Sequence, residues 1–130
     1  MKVFLKISQY PTPYKGFAFD NKWQNNEPLK GFYSFEIDNY SDKFLTQQVV
    51  RLIEESGVIV IFLQLQKDTI VGNIPFLLRK IVKYKKKIIV LCNGEHHQLE
   101  KIVSPFHSIK KDSEFSNEYL NQLIADRGLL

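Results

Sequence analysis

Cys92-Asn93-Gly94-Glu95-His96-His97 gathers a thiol, a carboxylate and two imidazoles within six positions. Such a set would suit thiol chemistry with a histidine as base, or metal ligation by Cys92, His96 and His97. Geometry argues against both. Adjacent residues of a helix point about 100° apart, so His96 and His97 would not converge on one ion. A zinc site needs three or four converging ligands, and the chain offers one further histidine, His107. The stretch reads as a strand-end cysteine, a turn and a helix start. No catalytic residue, no metal ligand and no cofactor is assigned from it.

Gln66-Lys67-Asp68-Thr69-Ile70-Val71-Gly72-Asn73 is the second locus. A glycine just before a helix can leave backbone N–H groups open to a phosphate. The glycine spacings of dinucleotide and nucleoside-triphosphate loops are absent. In open α/β sheets, ligands bind beyond the carboxyl ends of the strands. That rule nominates Asp38, Asp68, Thr69, Gly72 and Asn93 as ligand-binding candidates, with Glu95, His96 and His97 beside them. Ordinary turn and capping roles are the alternative at each position.

Arg79, Lys80, Lys83, Lys85, Lys86 and Lys87 form the third locus, with no acid between Asp68 and Glu95. On a helix, Arg79, Lys80 and Lys83 lie opposite the apolar stripe, and with Lys86 they are a candidate docking face for an anionic partner. A helix C-terminus also attracts cations, so a solvated face is the plain alternative. Interleaved aromatics would point to single-stranded nucleic acid. Here only Tyr84 qualifies, and nucleic acid is not expected.

The elements that would position these residues follow from patterning. Val58 to Leu63 and Ile88 to Cys92 are apolar throughout, as strands buried on both faces are. A helix-patterned segment lies between them, the signature of a βαβ unit. Residues 1–8 and 31–38 alternate apolar and polar, as half-buried strands do. Further helices are predicted near 42–56, 74–84, 95–103 and 113–127. Ser41 or Asp42 would cap the first, and Pro75 suits the first turn of the second. A short strand is expected over 106–109. The fold class is therefore α/β: a three-layer sandwich with about five strands, those near 58–65 and 87–92 central. The alternating strands belong at an edge or under partial cover. No helix pattern separates the first two strands, and parallel neighbours need a crossover of about a dozen residues. A mixed, mostly parallel sheet is expected. Residues 9–30 form a long loop rich in aromatics (Tyr10, Tyr14, Phe17, Phe19, Trp23), either sealing the core or binding a ligand or partner.

Composition bounds the rest. The 130 residues suit one α/β domain spanning 1–130, with 44% apolar and 25% charged residues and a net charge of +4. One cysteine permits no intramolecular disulfide, which fits a cytoplasmic setting. The N-terminus lacks the apolar core of a signal peptide, and no apolar run approaches the ~18 residues of a membrane span.

From Gly31 onward, the order of elements and the turn Asp68-Thr69-Ile70-Val71-Gly72 resemble the STAS domain of anti-sigma-factor antagonists. Their Asp-Ser-x-Gly turn is one residue shorter. The resemblance implies phosphorylation at Thr69 and antiparallel first and second strands. Val50 to Asn93, with Ile53-Glu54-Glu55-Ser56 before a buried strand, also resembles TIR and nucleoside deoxyribosyltransferase-like domains. NAD-cleaving TIR domains carry a glutamate near the start of the second helix. Asn73-Ile74-Pro75-Phe76 has none, which implies that this chemistry is absent. Two functions follow as expectations. One is a cytoplasmic, non-enzymatic regulatory or protein-interaction module, with a protein partner or self-association. The other is a small nucleotide-binding or nucleotide-processing domain, for which an all-parallel sheet would speak.

Overall fold

The computed structural model describes residues 1–11, 31–110 and 117–126. Five strands form one sheet: β1 (Lys2–Ser8), β2 (Tyr33–Asp38), β3 (Val58–Gln64), β4 (Ile88–Asn93) and β5 (His107–Lys110). Their spatial order is β2-β1-β3-β4-β5, and every neighbouring pair is parallel. The helices are α1 (Lys43–Glu55), α2 (Ile74–Ile81), α3 (His97–Val103) and α4 (Asn117–Asp126). A 3-10 segment, Val82–Lys87, continues α2.

The expected α/β sandwich is present. Among the described residues the antiparallel component of the expected mixed sheet is absent, because β1 pairs parallel with β2, Val3 opposite Tyr33 through Ser8 opposite Asp38. Residues 9–32 separate the two strands, and that span exceeds the minimum for a parallel crossover. The pairing departs from the antiparallel arrangement that the STAS-like order implied. The aromatic loop 9–30, beyond its first three residues, lies outside the described residues, as do positions 113–116 and 127 of the predicted last helix.

Two apolar layers flank the sheet. On one face Val3, Leu5, Ile7, Ile59, Ile61, Leu63, Ile88 and Val90 pack against Val49 and Ile53 of α1, Leu77, Leu78 and Ile81 of α2, and Leu99 and Val103 of α3. On the other, Phe4, Val60, Phe62, Ile89 and Leu91 meet Leu120 and Ile124 of α4. Each such side chain, fully buried, contributes about 1.5–3 kcal/mol.

Local signals set the helix ends. Asp42 caps α1, its carboxylate accepting the Leu45 N–H at 2.8 Å. Pro75 stands in the first turn of α2, where its missing N–H is harmless. The core-facing side of α1 includes a polar residue. Thr46, Val49 and Ile53 are buried while Leu45 is 42% exposed. Burial of Thr46 is possible because its hydroxyl donates to the Lys43 carbonyl at 2.8 Å.

β1 corrects the second expectation drawn from alternation. It is an interior strand, buried from Val3 to Ser8, whereas β2 is the edge. Lys6 and Ser8, polar residues on the α4 side, are 6% and 1% exposed. Each has partners within the sheet, so alternation here records paired burial and not exposure.

Candidate functional site

Strand order reverses between β1 and β3, because β2 and β3 flank β1 on opposite sides. In such doubly wound sheets the carboxyl ends around this switch point are where ligands bind. The parallel register lines up a polar row on the α4 side of that edge: Asp38 opposite Ser8, Ser8 opposite Gln64, Gln64 opposite Asn93. The Ser8 hydroxyl donates to Gln64 Oε1 at 2.9 Å. One step back along the strands, Lys6 lies opposite Glu36, with its ammonium 3.9 Å from the carboxylate. The Tyr10 hydroxyl donates to the same carboxylate at 3.2 Å. Burial lowers the Lys6 ammonium from its usual 10.5, outweighing the attraction of Glu36. Burial, reinforced by the Glu36 charge, raises the Tyr10 phenol.

Two buried amides close the other side of the switch point. Gln9 Oε1 accepts the Gln66 N–H at 2.8 Å, and its Nε2 donates to the carbonyls of Thr69 and Ile70 at 3.3 Å each. Asn39 Nδ2 donates to the carbonyls of Tyr10 at 3.0 Å and Ile70 at 2.9 Å. Its Oδ1 accepts the Tyr10 N–H at 2.8 Å. The chain leaving β1 is thereby stitched to the loops after β2 and β3. His96 adds a third tie, with Nε2 3.0 Å from the Thr69 carbonyl and Nδ1 accepting the Leu99 N–H at 3.4 Å. A carbonyl only accepts and a backbone N–H only donates, so both bonds require the neutral tautomer with its proton on Nε2. His96 is thus the cap of α3. Tight backbone contacts complete the seal: Gly72 and Gly94, at φ +54° and +85°, lie against the carbonyls of Asn39 and Leu65.

Beyond β3, β4 and β5 lies a cleft of about 560 Å³. Lys67 and Asp68 line it from the loop after β3, Glu95 from the loop after β4, His97 and Glu100 from the start of α3, and Lys110 from the end of β5. Lys110 Nζ donates to Glu100 Oε1 at 2.8 Å and stands 3.9 Å from Glu95. That bond holds the Glu100 carboxyl below its usual value. Asp68 turns the loop at φ 60°, a left-handed conformation that Asp tolerates better than most residues.

The five residues nominated from sequence divide. Asp68 lines the cleft. Thr69 is half-buried beside it, with its carbonyl held by Gln9 and His96 and its hydroxyl 3.4 Å from the Lys67 carbonyl. Asn93 ends the polar row, and its carbonyl accepts the Leu65 N–H at 2.7 Å. Asp38 and Gly72 lie apart from these, on either side of Asn39. The Asp38 carboxylate turns the chain by accepting the Tyr40 N–H at 2.7 Å. Cys92 is buried, and that burial pushes its thiol up to about 11. Among the described residues no cluster of three or more His, Cys, Asp or Glu side chains is arranged to hold a metal ion. No described helix is long and apolar enough to cross a membrane.

Sequence reading passed over Lys6, Gln9, Glu36, Asn39 and Lys110. Lys6 and Glu36 were visible only as the polar halves of alternating strands. Gln9 and Asn39, each just past a strand's end, were the available signal, since the carboxyl-end rule applies to those positions too.

The candidate anionic face is exposed at Arg79, Lys80, Lys83 and Lys86. Lys80 and Lys83 line a groove of about 540 Å³ between α1 and α2, together with Lys43, Arg51, Glu54 and Phe76. Lys87 instead ties α1 down, donating to the Glu54 carbonyl at 3.2 Å and the Ser56 carbonyl at 2.6 Å. No protein-family model, curated protein or solved structure matches the chain.

Proposed function

We propose that this domain binds a nucleotide in the cleft beyond β3, β4 and β5, as a cytoplasmic protein. The observation that carries the reading is the wholly parallel β2-β1-β3-β4-β5 sheet with a cleft of about 560 Å³ at its carboxyl edge. The cleft opens at the carboxyl edge, to one side of the switch point between β1 and β3, and small-molecule sites span roughly 300–1,000 Å³. Lys67 supplies a cation for a phosphate, with Lys110, already bonded to Glu100, as a second, while Asp68 and Glu95 supply acceptors for sugar hydroxyls. Thr69 and Gly72 hold the loop after β3, and Asn93 the end of β4, beside the cleft, while Asp38 turns the chain after β2, away from it. The proposal concerns binding and assigns no catalytic residue. The lone, buried Cys92 supports a reducing compartment.

A thermal-shift screen against nucleotides, dinucleotides and cyclic nucleotides tests it. A ligand at 100 times its dissociation constant adds about 2.7 kcal/mol, several degrees for a domain of this size. A saturable shift abolished by Lys110→Met and weakened by Asp68→Asn is expected. Asn is chosen because it accepts the left-handed backbone. A flat screen, or a shift indifferent to both variants, rejects the reading.

A further inference from the structure

We infer that the groove between α1 and α2 is a docking site for an acidic segment of a protein partner. This surface lies apart from the cleft at the sheet's carboxyl edge. Lys43 and Arg51 border it on α1, Lys80 on α2 and Lys83 on the 3-10 segment that follows, against a single acid, Glu54. Phe76 forms its half-buried apolar centre, with the ammonium groups of Lys43 and Lys80 at 5.0 and 5.6 Å from the ring centroid.

Helix electrostatics do not account for this set of charges. Lys80 stands in the last turn of α2, where the dipole favours a cation. Lys43 is the first residue of α1, at the positive end of the dipole, where the Asp42 cap precedes it and no acid follows in the first turn. The dipole disfavours a lysine there. An anion lying in the groove would face four cations against one acid.

Dimensions fit an extended peptide. Lys43 and Arg51 are eight residues apart on one helix, about 12 Å at 1.5 Å per residue. Alternate side chains of an extended chain recur about every 6.6 Å, so two or three carboxylates would reach the four cations. A leucine or similar residue among them would meet Phe76. Single-stranded nucleic acid fits less well, because it stacks successive bases on exposed rings. Here one ring lines the groove, and ammonium groups already stand over it. Tyr84, the next ring, lies outside the groove, with Lys83 and Lys87 at 5.4 and 4.8 Å.

The probe is a labelled peptide of about twelve residues built from Glu-Glu-Leu repeats. Its binding is read by fluorescence anisotropy from about 50 to about 200 mM salt. A Gln-Gln-Leu peptide and an oligouridylate of similar length serve as comparisons. The acidic peptide is expected to bind, with affinity falling as salt rises. Lys80→Glu with Lys83→Glu should weaken it about tenfold or more, and Phe76→Ala severalfold. Arg79→Glu with Lys86→Glu makes the same charge change outside the groove and should matter little. The proposal fails if the acidic peptide does not bind at the lowest salt. It fails equally if the Gln peptide binds as well, if both double variants weaken binding alike, or if oligouridylate binds more tightly. Circular dichroism of each variant confirms that a lost signal is not lost folding.

Discussion

Gln9 and Gln66 meet through a part-buried hydrogen bond in which the Gln9 side-chain carbonyl accepts the Gln66 N–H at 2.8 Å. The bond fastens the end of β1 to the loop after β3, across the point where the strand order reverses. Its removal exposes how the carboxyl edge is built. Gln9→Ala removes the partner of the Gln66 N–H, while the Thr69 and Ile70 carbonyls keep His96 and Asn39 as donors. A buried group left without its partner costs about 1–3 kcal/mol, and Gln66 is an exposed residue, so urea unfolding should show a loss at the lower end of that range. Gln9→Glu places a carboxylate against the same two carbonyls. The folded state then raises that carboxyl's pKa, so stability falls as pH rises through the carboxylate range. A variant whose deficit is the same at acid and neutral pH would contradict the assigned orientation of the amide.

Two glycines are expected to be irreplaceable and a third tolerant. Gly72 and Gly94 have positive φ, and a Cβ at either would run into a backbone carbonyl, Asn39 or Leu65 respectively. Gly31 has φ +82° with open space around it. Alanine at Gly31 should cost only the left-handed strain, about 1–2 kcal/mol. Gly72→Ala and Gly94→Ala should each cost more, since a backbone segment must move as well. Equal losses in chemical denaturation at all three positions would refute the close approach.

Lys6→Met is expected to leave stability unchanged or raise it by up to about 2 kcal/mol. The lowered ammonium pKa means that desolvation outweighs the pull of Glu36, so folding disfavours the charge. Glu36 itself is partly exposed, its side chain at 39%, and water can take over its solvation. A clear drop in Tm would show that the Lys6 charge is held by interactions stronger than its desolvation.

Cys92 should resist thiol reagents in the native state at pH 8 and react once the chain is unfolded. Its thiol is pushed up to about 11 from 9.0 by burial, so the thiolate that reacts is scarce. Between those two values the folded state holds the proton that the unfolded state releases. Stability contributed here therefore falls as pH rises from 9.0 towards about 11, by at most about 1.4 kcal/mol per pH unit. Cys92→Ala should remove that component of the alkaline slope. An unchanged slope would assign it to other groups.

The element order, the central pair β3 and β4, and the apolar faces of the helices could be read from the residues themselves. Each depends on spacing within a dozen positions: unbroken apolar runs, a 3.6-residue stripe, an Asp cap at 42, a proline at 75. The candidate site was legible only where it shared those local signals, as at Asp68 beside Gly72. The direction of β1 against β2 depends on a connection whose path local pattern does not specify. The burial of Lys6 and Ser8 depends on Glu36 and Gln64, neighbours in the sheet but distant in sequence. Gln9 finds its partners 57 to 61 positions away and Asn39 finds its own at 29 and 31. A side-chain amide fits a loop, a cap or a buried seam equally well. Only the packing of one chain end over another decides which, because that packing sets which backbone groups would otherwise be buried without a partner.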